Sequence, residues 1–511
     1  MTLARIASRA QIGLQAPVVH VEVHLGAGLP SFSIVGLAAT AVKESKERVR
    51  AALAQCNFEM PAGRITVNLA PADVPKEGGR FDLPIALGIL VASEQIKLPA
   101  VALEALERQE FYGELALSGE LKPVEGLLLA AAQASNEGNQ IIIPRANAPE
   151  ALRVAGAGVL GASHLKEVCD HLSGVALLAV EERASLPRIS DPNRLAGFDL
   201  RDVRGQTQAK RALIIAAAGA HSLLLKGPPG SGKSMLAQCL PALLPPLSEQ
   251  ESMEVAMISS ASAAGFDIRS YGRRPFRAPH HTSSAQSIIG GGPHARPGEV
   301  SLAHRGVLFL DELPEFDRRV LESLREPLET RVVAVSRAAR QMEYPAAFQL
   351  IAAMNPCPCG YLGDASGRCQ CSPGRVAQYR QRISGPLLDR IDLQIEVGLV
   401  PAQELAVRSA ATESGAEAAL RVLAARGRQH ARGRGLLNSQ LDVHEMEQCA
   451  CLPDAAGEAL LRKAQETLGI SARAYHRILR VARTVADLDG SDRVSASHLG
   501  EALQLRRAME W

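Results

Sequence analysis

Eight residues, Gly227, Pro228, Pro229, Gly230, Ser231, Gly232, Lys233 and Ser234, have the types and order of a loop that holds phosphates. Glycines let backbone N–H groups turn inward around an anion, and the helix that follows offers its positive end. In such a loop Lys233 reaches the β and γ phosphates and the Ser234 hydroxyl ligates Mg²⁺. The apolar run LLLK before the loop and the helical stretch after it are the context this chemistry requires. Downstream, GVLFLDE ends in Asp311, placed to hold the Mg²⁺ through its water shell, and Glu312, able to orient and deprotonate an attacking water. An acidic pair after a strand is a weak signal alone; the phosphate loop upstream strengthens it. Asn355 ends another apolar run, QLIAAMN, and could position the same water, a plain strand-ending turn being the alternative.

Two further groups of residues carry chemical potential. Cys357, Cys359, Cys369 and Cys371 form two C-x-C pairs separated by nine residues. Four thiolates can surround Zn²⁺ tetrahedrally and staple a loop that has no core, although C-x₂-C is the commoner spacing. Free thiols are the alternative, and the pair Cys449 and Cys451 stays unassigned. The run RVLAARGRQHARGRG places Arg421, Arg426, Arg428, Arg432 and Arg434 together with no acid among them. It could bind a phosphate backbone; a solvated helix end reads equally well.

These groups need a scaffold. Three sections are expected, with boundaries at 1–185, 186–397 and 398–511. The first alternates β-rich runs (SFSIVGL, RITVNLA, QIIIP) with helical stretches such as AVKESKERVRAALAQ. A polar, Pro-containing linker, EERASLPRISDPNRLAGFD, follows. The second repeats apolar strand, loop, helix, which predicts an α/β fold with a parallel sheet covered on both faces. The third is mostly helical.

The totals bound the rest. At about 150 residues per domain, 511 residues suggest three or four domains. A net charge of only +2 means that a nucleic-acid partner would need positive charge gathered locally. Aromatic residues, at 3%, argue against a surface that stacks many bases. The nine unevenly spaced cysteines do not read as a secreted disulfide framework. The N-terminus lacks a signal-peptide core, and no apolar run of about 18 residues predicts a membrane span. A soluble, cytoplasmic setting is the expectation.

Taken together, the phosphate loop and the segments DVRGQTQAKRALIIAAAGAH, FRAPHHTSS, GEVSLAHRGVLFLDELPEF, NPCPCGYLGD and ISGPLLDRIDL resemble the ComM/YifB family of magnesium-chelatase-related AAA+ ATPases, within the helix-2-insert clade. The resemblance implies a hexameric DNA helicase that binds ATP and Mg²⁺ and promotes branch migration when incoming DNA is integrated in natural transformation. It implies that Arg390 is an arginine finger reaching a neighbouring subunit's ATP, and that Arg473 is the sensor-2 arginine of a helical lid. The first section resembles a Lon-type protease domain with an S5-like fold. Where that family carries its serine and lysine, this sequence has Arg80 and Leu128, so no proteolysis is expected. Arg80 would face nucleic acid or pair with Asp82 or Glu77. Two segments resemble the clade's pore hairpins. One holds the run Gly290, Gly291 and Gly292. The other is RVVAVSRAARQMEYP, with Arg337 at the DNA-contacting place and Arg340 nearby. A motor that remodels a protein partner, as magnesium-chelatase motor subunits do, is the alternative.

Overall fold

The computed structural model describes residues 3–37, 39–154, 156, 158–182, 198–292, 295–337, 340–363, 367–401, 413–432, 435–468 and 470–506. Most of the expected linker lies outside the described residues. Two compact units form: residues 1–189 with 256–271, and residues 190–255 with 272–511. Residues 256–271, which the sequence places in the second section, cluster with the first.

The first unit holds β1 (Leu3–Arg9), β2 (Val18–Gly26), β3 (Ser31–Val35), β4 (Arg64–Ala70), β5 (Gln109–Phe111), β6 (Glu114–Leu115), β7 (Leu121–Lys122), β8 (Gln140–Pro144) and β9 (Val159–Ala162). Seven of them make one mixed sheet in the order β3-β4-β2-β1-β5-β8-β9. β2 reads VVHVEVHLG, and the period of two sends Val19, Val21 and Val23 into the core. The helix Asp82–Ala92, DLPIALGILVA, is apolar all round and accordingly buried along its whole length. A Cβ on its Gly88 would lie 2.4 Å from Val23 Cγ2, so glycine lets the helix approach β2.

The second unit is built on a five-stranded parallel sheet of β10 (Leu223–Lys226), β11 (Phe276–Arg277), β14 (Val307–Leu310), β17 (Gln349–Met354) and β18 (Leu393–Glu396), in the order β11-β14-β17-β10-β18. The runs LLLK, VLFL and QLIAAM are buried at every position, as strands covered on both faces must be. Because β17 lies between β14 and β10, the carboxyl ends of three strands meet at one edge, where open α/β sheets take their ligands. Two ribbons stand apart from this sheet: β12 (Gly290–Gly291) with β13 (Arg296–Pro297), and β15 (Val332–Arg337) with β16 (Arg340–Pro345).

The helical C-terminal part shares the core of the parallel sheet. Val422 and Ala425 of the helix Gly415–Ala431, and Ile478 and Val485 of the helix Ala472–Leu488, cluster with Leu213 and Leu236. A capping box of Ser414 and Glu417 starts the first of these helices. Among the described residues no helix is long and apolar enough to cross a membrane.

Candidate active site

β10 ends at Lys226, the phosphate loop follows, and the helix Lys233–Leu243 begins within it. Gly230 (φ 77°) and Gly232 (φ 88°) hold backbone conformations that side chains avoid, and their Cα positions face open space. No side chain caps this helix, which leaves its first N–H groups for a ligand. Lys233 Nζ donates to the carbonyls of Gly227 (2.7 Å) and Pro228 (2.8 Å) and to Asn355 Oδ1 (3.2 Å). Burial pulls its pKa below the usual lysine value, against the pull of Asp311 and Glu312. Ser231 Oγ is buried without a hydrogen-bond partner. A Cβ on Gly227 would fall 2.1 Å from the Val397 carbonyl oxygen, so the loop's first residue must be glycine for packing.

Asp311 follows β14, and its Oδ2 accepts from Ser234 Oγ at 2.7 Å, which brings the two expected Mg²⁺ ligands together. Glu312 adopts the left-handed conformation (φ 51°) and is half-exposed. Its Oε2 lies 3.2 Å from His281 Nδ1, a partner the residue order gave no reason to pick. Gln206 was equally hidden: its Nε2 donates to the carbonyls of Ser231 (3.2 Å) and Gly398 (2.6 Å) and straps the loop in place. Asn355, one residue beyond β17, completes the edge.

Arg390 and Arg473 meet elsewhere in the unit. Arg390 is only 8% exposed; it donates to the Pro386 carbonyl (2.8 Å) and pairs with Glu329 (2.9 Å), while its Nε has no hydrogen-bond partner. Arg473, half-exposed, lies 3.7 Å from the same Glu329 oxygen. Both line a cleft of 570 Å³ with Arg331, Arg477 and Arg480. Burial lowers the pKa of Arg331, and neighbouring Arg305 and Arg480 lower it further. A cleft this rich in cations suits an anion.

Comparison with known proteins agrees with this geometry. Family models match residues 21–147 (subunit ChlI of Mg-chelatase), 199–405 (magnesium chelatase, subunit ChlI) and 412–506 (magnesium chelatase, subunit ChlI C-terminal). The chain is 46% identical over 509 residues to the competence protein ComM of Haemophilus influenzae, covering 99% of this chain and 98% of that one. It is 46% identical over 507 residues to the uncharacterized protein YifB of Escherichia coli, at 99% and 97% coverage. The chain belongs to the ComM/YifB family of magnesium-chelatase-related proteins. A more distant relative, the magnesium-chelatase 67 kDa subunit of Heliobacterium mobile, is 26% identical over 212 residues, 35% of this chain and 32% of its own. The family is AAA+, and membership implies an ATPase.

Just beyond Asn355, this ComM/YifB member brings its four cysteines together. The sulfur atoms of Cys357, Cys359, Cys369 and Cys371 all lie within 4.8 Å of one another. Cys357 is 3.3 Å from Cys359 and 3.7 Å from Cys369, and Cys359 is 3.6 Å from Cys369. Four sulfurs at about 2.3 Å from one zinc ion would sit about 3.8 Å apart, so the cluster has the right size. The Tyr361 backbone and the Cys357 thiol hold the Cys359 thiol down to about 6. Cys449 and Cys451 are instead core residues.

The two segments expected as pore hairpins each form an antiparallel ribbon. Gly290 pairs with Pro297, and Arg337 pairs directly with Arg340 across the turn. The turn residues, 293–294 and 338–339, lie outside the described residues. The ribbons pack together: buried Tyr344 donates its hydroxyl to the Ala295 carbonyl (2.8 Å).

The arginine run resolves differently from a phosphate grip. Arg426 is buried and gives Nε and Nη2 to the Ala217 carbonyl (3.0 and 2.6 Å). Arg428 donates to the Asp487 carbonyl (2.7 Å), Arg432 pairs with the Asp487 carboxylate (2.7 Å), and Arg421 pairs with Glu413 (3.0 Å). Arg434 lies outside the described residues. Carbonyls and acids from outside the run answer these arginines, Glu413 just before it and Asp487 55 residues beyond Arg432.

In the first unit Arg80 is buried, so it does not face nucleic acid. It donates to the carbonyls of Glu125 (2.5 Å) and Arg9 (3.5 Å). The expected pairing with Asp82 is not made: Asp82 is held by Arg48 (2.6 Å), by Ser45 and by the Leu115 N–H (3.2 Å). Leu128 is fully buried beneath Ala256 and Tyr271.

Proposed function

We propose that the chain is an ATP-hydrolysing ring motor, hexameric as the family resemblance implies, that moves along DNA and promotes branch migration during integration of incoming DNA. The observation that carries the ATP step is the meeting of Lys233, Ser234, Asp311 and Asn355 beside a glycine loop open to space. The orphaned Ser231 hydroxyl and the uncapped helix fit a triphosphate. Ser234 and Asp311 would hold Mg²⁺, which neutralises charge on the phosphate oxygens. Lys233 exchanges its carbonyl partners for phosphate oxygens. Glu312, steadied by His281, takes the proton of the attacking water, and Asn355 orients that water. Arg390 and Arg473 act on a neighbouring copy's nucleotide, leaving Glu329 for the γ-phosphate, a contribution of about 10³–10⁵ in rate for an arginine finger. Arg337 and Arg340 contact the DNA backbone without reading sequence.

The name of the Haemophilus relative, a competence protein, supports a role in DNA uptake or integration. In keeping with the Lon-like reading, the first unit serves as a docking or oligomer domain, and Arg80 and Leu128 leave it without a nucleophile or base. The cysteine quartet would hold structural Zn²⁺. The test is branch migration and strand displacement by the purified protein, with Lys233→Ala as the control. Unwinding that survives Lys233→Ala would show the assigned motor to be wrong. Likeness to a magnesium-chelatase subunit favours a second reading, the remodelling of a protein partner. ATPase activity stimulated by DNA supports the first reading, and stimulation by a protein partner alone supports the second.

A further inference from the structure

The cysteine cluster is built against the nucleotide edge, not merely near it. Asn355 directly follows β17, and Cys357 comes two residues later, fully buried. The turn Cys357–Gly360 is closed by a hydrogen bond from the Gly360 N–H to the Cys357 carbonyl (2.9 Å). Gly360 has φ 85°, and a Cβ placed on it would lie 2.6 Å from Cδ and 2.7 Å from Cγ of Pro229. The same point would be 3.9 Å from Asn355 Cγ. The turn thus rests directly on the phosphate loop and beside the side chain that accepts from Lys233.

A loop that depends on four thiols for its shape changes when they lose their common ligand. From this packing we infer that Zn²⁺ at Cys357, Cys359, Cys369 and Cys371 controls ATP hydrolysis, by fixing Gly360 against Pro229 and Asn355 at its place beside Lys233. The inference rests on the motor reading above and gives the cysteine cluster a working part in it. The cysteines are positioning residues, acting through Pro229 and Asn355 rather than on the reacting phosphate. Zinc release should therefore slow turnover more than it weakens ATP binding.

The experiment uses the full-length protein. Zinc is counted by mass spectrometry, then released with an organomercurial and trapped by a chelator. The mercurial is removed with dithiothreitol, and half the sample receives Zn²⁺ again. Steady-state ATPase, binding of a fluorescent ATP analogue and far-ultraviolet circular dichroism are read at each stage. We expect about one zinc per chain, a kcat lowered by at least about tenfold on release, an ATP-analogue Kd changed by less than about threefold, and recovery with Zn²⁺. Protein that arrives without zinc and hydrolyses ATP fully, or that keeps its kcat after release, overturns the proposal and leaves the motor reading standing. Protein that never hydrolyses ATP overturns both. If release unfolds the chain, Gly360→Ala decides. Its zinc content and circular dichroism are read first; with both at their wild-type values the variant should lower kcat, because its methyl displaces the turn from Pro229, whereas an unchanged kcat overturns the proposal.

Discussion

Two turns in this molecule run from a glycine-containing loop into a helix, and they have opposite fates. In Lys76–Asp82 the polar groups are answered from within. Arg80 is taken by carbonyls, Asp82 by Arg48, Ser45 and an N–H, and a Cβ on Gly79 would strike Glu114. In Gly227–Ser234 the groups are left open. The Cα positions of Gly230 and Gly232 face space, the Ser231 hydroxyl has no hydrogen-bond partner, and Lys233 is held by carbonyls that it can exchange. Buried polar groups are normally satisfied, so an unsatisfied set in a native fold marks a ligand's place. The first turn is a piece of core, and the second is the candidate site.

The sharpest way to break that contrast is Lys233→Ala. Steady-state ATPase should fall by about 10³-fold, because the phosphate loop's own cation is gone. Glu312→Gln should cost about 10²–10⁴ in kcat while ATP binding persists, since only proton removal is lost. Filter binding of nucleotide separates the two variants. A Glu312→Gln protein with normal turnover would leave the acidic pair without its assigned role.

The opposite turn predicts a stability effect and no catalytic one. Asp82→Ala strands part of Arg48 and removes a buried acceptor of several donors, which should cost about 3 kcal/mol in urea unfolding. ATPase per folded molecule should hold. Loss of turnover without loss of stability would mean that the first unit carries chemistry after all.

The difference between these turns also sets what the sequence could reveal. The phosphate loop, Asp311 and Asn355 were legible because their chemistry depends on local spacing after apolar strands, and local spacing is what a sequence displays. His281, Gln206 and Glu329 were not, because each meets its partner only after strands and loops have packed. The arginine run misled for the same reason. Its acid, Asp487, lies 55 residues beyond Arg432, and the carbonyl that takes Arg426 belongs to another helix. Leu128 read as a lost lysine, but nothing in its neighbourhood in sequence announced that Ala256 and Tyr271 would cover it.

A smaller effect tests the second unit's buried charges against pH. Burial pushes the Asp392 carboxyl upward, but Arg477 and His221 more than reverse this and hold it well below the usual range. A depressed folded pKa means that the group stabilises fully above its unfolded value, near 3.9, and progressively loses that contribution as pH falls below it. The urea midpoint should therefore drop on acidification below about pH 4, and Asp392→Asn should flatten that limb. An equally steep limb in the variant would assign the acid sensitivity to other carboxylates.

The smallest effect separates the two groups of arginines. A side chain that contacts a DNA phosphate displaces a counterion, so its removal lowers the slope of log affinity against log salt by about one. Arg337→Ala should do this on single-stranded or branched DNA, read by fluorescence anisotropy across a salt series. Arg426→Met should leave the slope alone and cost about 1–3 kcal/mol in stability, because its loss leaves the Ala217 carbonyl unanswered in the core. The pair is informative because both residues are arginines in basic stretches of sequence, and only the elements that carry them differ. Arg337 stands beside the turn of a ribbon, whereas Arg426 lies inside a helix packed on the sheet. If Arg426→Met lowered the salt slope and Arg337→Ala did not, the DNA would have to run along the C-terminal helices rather than the ribbons.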